Sequence, residues 1–465
     1  MKAEFAQSIS SNEHFQVAAA KAAATISYPL VVYRNEESMK TFVSLPVLSI
    51  VLSIVLSLAA VSVAQTRSTT TPLSPAEQGI ANAKKEIAKR PSQFAGYNQL
   101  AIALSRRARE TSDVTYYAQA GDALKKAAEL APDNFESAKI HVWLLLGRHE
   151  FPAALEAAKI LNKKVPDDVL VYGFLTDANA ELGNYSDAED AAQWMLNLRP
   201  GNLPGMTRAA YLRELFGDVD GAYELMDMAY QATVPTETED RAWILSQMGH
   251  LRFIAGKTDD AENILQQALV LFPGYHYALS NLARVRITQK RYEDAVTLLR
   301  QRYQAAPHAE NLYDLAEALA LAGHEGEAKT AFAEFESISL LEAGRKDNSS
   351  RELVFYYADY AHQPLKALDV ARQEYSWRHD VYTLDAYAWA LHVNGQDADA
   401  RKQIEAALAV GIRDSKMLAH AGEIALKLGD RAAAQHDLEQ AVALHGAGSD
   451  HARLVLAQAA AGGPR

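Results

Sequence analysis

The sequence predicts an all-α protein, a right-handed α-solenoid of stacked helix–turn–helix repeats. Three observations lead to this prediction. Ala, Leu and Glu, which favour helix, dominate the composition. Prolines recur at a spacing of 34 residues, and a separate series of alanines recurs at the same spacing. Such a period is the signature of a repeat array, in which each unit buries its apolar face against its neighbours.

The proline series marks the end of each unit. Its members are Pro132, Pro166 and Pro200, spaced by 34 residues, followed at spacings of 35, 38 and 34 by Pro235, Pro273 and Pro307. Most of them follow an apolar stretch such as "ALVLFPGY". Proline ends a helix because it lacks an N–H and clashes with the preceding turn. The series therefore predicts where the second helix of a unit, helix B, stops.

A glycine and an alanine mark the turn inside each unit. In five units a glycine lies five residues before the repeated alanine: Gly183, Gly217, Gly256, Gly395 and Gly429. Glycine ends a helix where a left-handed residue is needed, and the small alanine lets helix B approach helix A closely. The pattern predicts a tight turn between helices A and B of each unit.

These units resemble the tetratricopeptide repeat (TPR). One matches the family's small-residue and proline positions at Gly249, Gly256, Ala261, Ala268 and Pro273. A second matches them at Gly422, Gly429, Ala434 and Ala441. The resemblance covers residues 92–445 and about ten units, counted by the period. It implies a concave groove lined by helix A and a role in binding proteins or peptides.

Breaks in the period and in composition divide the chain into seven segments. The predicted segments are an N-terminal extension (1–38), a signal peptide or transmembrane anchor (39–64), a linker (65–91), a first solenoid block (92–341), a polar loop (342–352), a second solenoid block (353–445) and a C-terminal tail (446–465). The extension is interpreted as an over-extended gene model, because Met39-Lys40 and the apolar run after it make an ordinary signal peptide.

The apolar run Phe42–Ala64 predicts the compartment. It contains no charged residue and is long enough to span a bilayer as a helix. Lys40 precedes it on the side that remains cytoplasmic. Ser62-Val63-Ala64 offers the small residues of a signal-peptidase site. Whether this segment is cleaved or kept as an anchor, we expect the rest of the chain to be periplasmic or otherwise extracytoplasmic, across a bacterial inner membrane.

Charge and cysteine content exclude several functional classes. The net charge is −12, and non-specific binding to nucleic acid needs a basic surface. We therefore expect a protein or peptide partner, no nucleic acid, and a membrane only through an uncleaved N-terminal segment. The chain has no cysteine, which excludes thiol nucleophiles, disulfides and a lipoprotein anchor. We predict no catalytic residues, no cofactor and no metal.

Gly256-Lys257-Thr258 has the form of the end of a phosphate-binding loop. That loop needs an earlier glycine at position 251, which is Leu251, and it needs a strand before it. The preceding segment has a helical pattern instead. Two His-Glu pairs likewise lack the second histidine of a zinc-protease motif. We interpret Gly256 as the turn between helices A and B.

The groove-facing positions of helix A are therefore the candidate site. The resemblance places these partner-binding residues there: Trp243, Gln247, His250, Tyr277, Asn281, Arg284, Tyr313, Glu317, Tyr382, Trp389, His392, Lys416, His420 and Glu423. The aromatic members, Trp389 above all, are equally consistent with packing between helices. For Gln247, Asn281 and Arg284 we favour the groove, because an unpaired polar group between helices is costly. No set of basic residues accompanies Asn281 and Arg284 to form a carboxylate clamp.

The predicted function is that of a non-catalytic scaffold or assembly factor in the cell envelope that binds a polypeptide in this groove. One alternative is an enzyme or small-ligand binder with a site in the groove. Its discriminating feature would be convergence of Asp385, His392 and His420. The other alternative is a regulator that faces the cytoplasm, with the apolar run serving only as an anchor. The side of the membrane on which the chain lies would distinguish that alternative.

Overall fold

The computed structural model describes residues 73–346, 350–444, 446 and 448–460. Within these residues the regular structure is entirely helical: α-helices α1–α22 and one π-helical turn. Two single helices, α1 and α22, flank ten helix pairs, which we call repeats 1–10. The predicted all-α solenoid is confirmed.

Each repeat consists of a helix A followed by a helix B. The first half of the chain contains α1 (Pro75–Lys89), then repeat 1, α2 (Phe94–Thr111) and α3 (Thr115–Leu130); repeat 2, α4 (Phe135–Gly147) and α5 (Phe151–Lys164); repeat 3, α6 (Val169–Glu181) and α7 (Tyr185–Leu198); repeat 4, α8 (Leu203–Leu215) and α9 (Val219–Ala232); and repeat 5, α10 (Thr238–Ile254) and α11 (Thr258–Leu271).

The second half continues in the same way. It contains repeat 6, α12 (His276–Thr288) and α13 (Tyr292–Ala305); repeat 7, α14 (Ala309–Leu321) and α15 (Glu325–Leu341); repeat 8, α16 (Ser350–Phe355) with the π-turn (Tyr356–Tyr360) and α17 (Pro364–Tyr375); repeat 9, α18 (Val381–Val393) and α19 (Asp397–Ala409); repeat 10, α20 (Ser415–Lys427) and α21 (Arg431–Ala443); and finally α22 (Ser449–Ala460).

The marker residues lie where the period predicts. Pro132, Pro166 and Pro273 each follow the last residue of a helix B by two positions. Gly183 and Gly256 occupy the A–B turn with φ of 76° and 75°, the left-handed region that glycine adopts without strain. The segment that resembles a phosphate loop is therefore the turn between α10 and α11.

Small residues bring helices A and B into close contact. A Cβ built on Gly249 of α10 would lie 2.5 Å from Cγ of Leu265 on α11. Leu265, Ala261 and Ala268 are completely buried in this contact. Burying a leucine side chain contributes about 1.5–3 kcal/mol. Gly249 therefore increases the apolar area that this repeat buries.

Three segments differ from their predicted boundaries. The predicted linker 65–91 contains α1, and the predicted loop 342–352 ends early because α16 begins at Ser350. The predicted tail 446–465 contains α22, which packs on repeat 10 through Ala452 and Val455. The spacing between Ala328 and Ala367 is longer than the 34-residue period. The extra residues lie in the 17-residue α15, in the loop after it and in the π-turn.

The solenoid winds far enough for its second turn to contact its first. The A–B turns of repeats 1–4 lie against residues near the starts of later A helices. At repeat 1, Arg109 pairs with Glu239 at the start of α10, and Nε2 of His276 lies 2.9 Å from the carbonyl oxygen of Arg109. At repeat 3, the amide of His379 donates to the carbonyl of Glu181 (3.1 Å).

The same contact recurs at repeat 4. There a Cβ on Gly217 would lie 2.5 Å from the carbonyl oxygen of Gly411, in the loop before α20. We call this row of contacts, from repeat 1 to repeat 4, the inter-turn seam. It makes the protein a superhelix of stacked turns. The A helices of neighbouring repeats contact one another, which places them on the inner side of the curve.

No helix in the described part of the chain is long and apolar enough to cross a membrane. The predicted signal or anchor, residues 39–64, lies outside the described residues.

Candidate functional site

The predicted groove residues all lie on A helices, in five of the ten repeats. Helix α10 carries Trp243, Gln247 and His250; α12 carries Tyr277, Asn281 and Arg284; α14 carries Tyr313 and Glu317; α18 carries Tyr382, Trp389 and His392; and α20 carries Lys416, His420 and Glu423. The structure divides them into a polar row in repeats 5 and 6, which Glu214 extends into repeat 4, a tyrosine–carboxylate group in repeat 7, and a more buried group in repeats 9 and 10.

The polar row links three consecutive A helices. Nε2 of His250 lies 2.7 Å from Oε1 of Glu214 on α8, and Nδ1 accepts from the Arg284 guanidinium (3.2 Å). Because arginine only donates, Nδ1 of His250 accepts, and its Nε2–H must donate to Glu214. Asn281 donates to the carbonyl of Ser246 (3.2 Å). The row therefore holds partly exposed polar side chains in fixed orientations.

Three larger side chains flank this row. Trp243 and Tyr277 are half-buried and pack against the core around Met248 and Ala278. Gln247 is half-buried, and its amide makes no hydrogen bond within the described residues. Burial raises the pKa of Tyr277 to about 12, so the phenol is a hydrogen-bond donor at neutral pH. Repeats 4–6 thus combine aromatic surface with a side-chain amide that has no partner within the described part of the chain.

Tyr313 and Glu317 form the second group, with Tyr360 from the π-turn. Glu317 accepts from the hydroxyl of Tyr313 (2.8 Å) and from that of Tyr360 (3.4 Å). Tyr313 is only 3% exposed and packs on the Phe335 ring, so it belongs to the core, whereas Tyr360 is 39% exposed. Burial raises the pKa of Glu317.

Trp389 and His420 form a buried pair between repeats 9 and 10. Their rings stack at 4.2 Å, and both side chains are less than a tenth exposed. The Trp389 indole donates to Asp359 (2.8 Å), and His420 Nδ1 lies 2.7 Å from Oδ1 of Asp385. Each polar atom in these two contacts therefore has a partner inside the protein, which is the geometry of a satisfied core pair.

The remaining predicted residues also have neighbours in the chain. His392 bonds to Asp397 in its own repeat (2.6 Å), and its ring lies 5.0 Å from that of Trp389, which also stacks on His420. His392 thus has a different carboxylate partner from His420. Lys416 lies over the Phe355 ring (3.6 Å), and Glu423 lies 2.5 Å from His451 of α22.

Several charged residues on the inner side are absent from the predicted set. Arg302 of α13 is 5% exposed and pairs with Asp314 and Glu310 on α14. Burial raises the pKa of Asp314 to about 6, although Arg302 acts in the opposite direction. Burial also opposes ionisation of Glu310, but the positive charges of Arg302, His308 and Arg351 together outweigh it and lower the pKa of Glu310. The only indication of Arg302 in the sequence is that a charged residue occupies a helix B position at which the helical period predicts burial.

Arg351 of α16 lies on the same inner side. Its guanidinium stands 5.4 Å from the ring centre of Tyr382, and the charges of Glu352, Arg378, Asp380 and Glu310 act on it. The sequence predicts a polar loop at this position. Loop composition does not reveal which side of a superhelix a residue faces.

A cavity of about 240 Å³ lies where the seam crosses repeats 2–4. It is lined by Leu146, His149, Phe151, Asp177, Ala180, Glu181, Tyr211 and Arg378. Burial lowers the pKa of His149 to about 3, so its imidazole is neutral. No group of three or more metal-ligating side chains occurs in the described part of the chain.

Sequence comparison identifies the repeat type. A family model described as tetratricopeptide repeat matches residues 252–308, which span α11, α12 and α13. No curated protein matches the chain. Together with the helix pairs and their marker residues, this match supports a TPR protein. Proteins of this class are in general non-catalytic scaffolds.

Solved structures are similar in repeat architecture. One is the human IFIT1 dimer with PPP-AAAA, with 12% identity over 80% of this chain and 95% of that chain and a TM-score of 0.45. Another is Cut9–Hcn1 of the APC/C, with 14% identity over 70% and 55% and a TM-score of 0.41. PilW, a type IV pilus biogenesis factor, shows 15% identity over 44% and 92% and a TM-score of 0.38.

Proposed function

We propose that this protein is a non-catalytic interaction scaffold that binds a polypeptide along the inner face of repeats 4–6. The observation that carries the proposal is the polar row Glu214–His250–Arg284 with Asn281, which neighbouring side chains orient. Polar groups held in place before binding lose little entropy when a partner docks.

The chemistry of the row suits an extended peptide. A side-chain amide can pair with both the N–H and the C=O of a peptide backbone, and Gln247 has such an amide without a partner among the described residues. Trp243 and Tyr277, both half-buried, offer aromatic surface beside it. Aromatic anchors surrounded by hydrogen-bonding groups are typical of interfaces that bind through a few residues.

A matched pair of triple variants tests the proposal in the full-length chain. The groove variant carries Gln247→Ala, Asn281→Ala and Arg284→Ala. The control removes the same residue types from B helices, with Gln267→Ala, Asn263→Ala and Arg300→Ala. Both variants and the wild type serve as baits in a cell-envelope extract, with helicity checked by circular dichroism.

We expect a protein that the wild type and the control variant retain and the groove variant loses. Its affinity, measured with purified components, should fall at least tenfold for the groove variant. Equal capture by all three baits would contradict the inner-face site and place the interface elsewhere. If no bait retained a protein, the polypeptide-scaffold proposal would fail.

We further propose that the scaffold lies outside the cytoplasm. The support is the charge-free run Phe42–Ala64 with Lys40 before it. An alkaline phosphatase fused after Arg465 should be active, and protease added to cells with a permeabilised outer membrane should digest the repeats. Digestion only after the inner membrane is broken would support the alternative, a regulator facing the cytoplasm.

A further inference from the structure

We propose that the inter-turn seam is a joint that opens, so that the protein exchanges between a closed superhelix and an open one with a more accessible inner face. Only the purpose of the opening, which is to admit a polypeptide to the inner face, rests on the proposed function. The opening itself is a property of the free protein.

The contacts at the seam are polar at repeats 1 and 3, and an apolar patch joins them at repeats 3 and 4, where Ala180 and Leu215 belong to the same core cluster as Val381 and Ile412. At repeat 3, the His379 amide donates to the carbonyl of Glu181, and the Val381 amide donates to the Tyr185 hydroxyl (3.0 Å). Arg378 pairs with the carboxylate of Glu181. By contrast, helices A and B within a repeat meet through buried apolar residues, as at Leu265. Polar contacts gain little when they replace hydrogen bonds to water, so the stability of the seam depends on this patch, whereas every repeat buries apolar residues between its own two helices.

Packing at the seam is also incomplete. The cavity of about 240 Å³ lies there, between His149 and Arg378. Nδ1 of His149, which lines this cavity, is buried without a hydrogen-bond partner among the described residues. A buried polar atom without a partner is destabilising relative to its hydrated form. Opening the seam would hydrate this atom, which favours the open form.

Two glycines permit the closed form. Gly183 and Gly217 lie in equivalent A–B turns, and a Cβ on them would approach carbonyl oxygens across the seam to 2.7 Å (His379) and 2.5 Å (Gly411). Real Cβ atoms do not come this close to backbone. A side chain of any size at these two turns would therefore push the superhelical turns apart.

The chain contains its own matched control. Gly395 and Gly429 occupy the same A–B turn in repeats 9 and 10, with φ of 72° and 82°, against 76° and 85° at Gly183 and Gly217. A Cβ on either control glycine meets nothing within 4 Å among the described residues. Alanine strains the local backbone equally in both pairs, but only Gly183→Ala/Gly217→Ala obstructs the seam.

The test measures a distance across the seam in the full-length protein. Ser186 and Ser376 lie on opposite sides of it, and the chain has no native cysteine, so Ser186→Cys and Ser376→Cys accept spin labels selectively. Double electron–electron resonance is recorded in three backgrounds: the parent, Gly183→Ala/Gly217→Ala, and Gly395→Ala/Gly429→Ala.

We expect the short distance to be the major population, with a minor longer one, in the parent and in the Gly395→Ala/Gly429→Ala control. In Gly183→Ala/Gly217→Ala, a longer distance should become the major population while helicity stays unchanged. An unchanged short distance in that variant, or the same shift in both variants, would overturn the proposal.

Hydrogen exchange tests the same joint without a seam-blocking substitution. In the wild type, the His379 and Val381 amides should exchange at least tenfold faster than the Leu282 and Val285 amides in the middle of α12. Equal protection would overturn the proposal. Neither experiment contains a partner, so these outcomes are independent of whether the polypeptide-binding proposal succeeds.

Discussion

The indole of Trp389 shows how a predicted groove position becomes part of the core. Its spacing on helix A is consistent with either the inner face or packing between helices. The structure gives it 8% exposure, a stacked histidine and a carboxylate acceptor for its N–H. Asp359, the acceptor, lies 30 residues earlier in the π-turn. Helical phase alone does not identify such a partner, so the sequence is consistent with both roles.

Gly249 and Gly422 provide a prediction at the residue scale. A Cβ at either position would lie 2.5 Å from the leucine of helix B, Leu265 or Leu438. Overpacking costs about 1–3 kcal/mol, and a gain in helix propensity of about 1 kcal/mol offsets only part of this cost. We therefore expect Gly249→Ala and Gly422→Ala to lower the melting temperature.

Gly121→Ala is the matched control, because a Cβ there, in the middle of α3, meets nothing within 4 Å among the described residues. It should raise the melting temperature slightly. A rise at all three positions would mean that the leucines move aside and that close A–B contact does not explain these glycines.

At the scale of the element, the 34-residue period predicts the helices of the repeats well, but it predicts the segments outside the repeats poorly. Prolines and glycines place the ends of helices A and B to within a few residues, because each marker acts on its own backbone. A linker is predicted where α1 lies, since this segment follows a stretch rich in Ser, Thr and Pro and has no partner at the 34-residue spacing. The position of α1 depends on a side chain of the next helix, Glu110.

Glu110 joins α1 to α2 and provides the second prediction. Its side chain is 1% exposed and accepts from the Ala76 amide (3.1 Å) and the Ser74 hydroxyl (2.6 Å). Glu110→Ala leaves the buried Ala76 amide without its acceptor, at a cost of about 1–3 kcal/mol. We expect limited proteolysis to cut faster between residues 85 and 93.

Glu129→Ala on α3 serves as the comparison, because Glu129 is 52% exposed and pairs with Lys126 on its own helix. Its loss should leave the proteolysis pattern unchanged. Similar cleavage of the two variants would show that α1 is held by its apolar face and not by Glu110.

At the scale of the whole molecule, no local signal in the sequence marks the seam. It joins residues that are far apart in the chain, such as Glu181 and Arg378 at a separation of 197 positions, through loops whose composition resembles that of any other loop. The repeat period fixes how one unit stacks on the next. The number of units in each superhelical turn depends on small rotations summed over several repeats. The repeats therefore predict a groove but not its partial closure by the chain itself.

The last prediction follows from a histidine in this seam. His276 is 2% exposed, and burial lowers its pKa from 6.5 to about 4, while Arg302 acts in the same direction and the Arg109 carbonyl and Glu310 oppose it. Above pH 6.5 the imidazole is neutral in both folded and unfolded chains, so its titration has no effect. Between pH 6.5 and 4 only the unfolded chain takes up the proton, and stability falls as pH falls.

The loss of unfolding free energy that is due to His276 should reach ~2 kcal/mol at pH 5, because each pH unit below 6.5 costs about 1.36 kcal/mol. Urea denaturation at pH 7.5 and pH 5 measures this loss of unfolding free energy. It is carried out on the wild type, His276→Gln and the exposed-site control His436→Gln. Carboxylates with raised pKa, such as Glu239 and Glu374, act in the opposite direction but are common to all three proteins. The difference between variants therefore isolates the histidine.

We expect His276→Gln to lose ~2 kcal/mol less than the wild type on acidification, and His436→Gln to lose as much as the wild type. The same loss in all three would mean that His276 is hydrated in solution and that the seam at repeat 1 is already open.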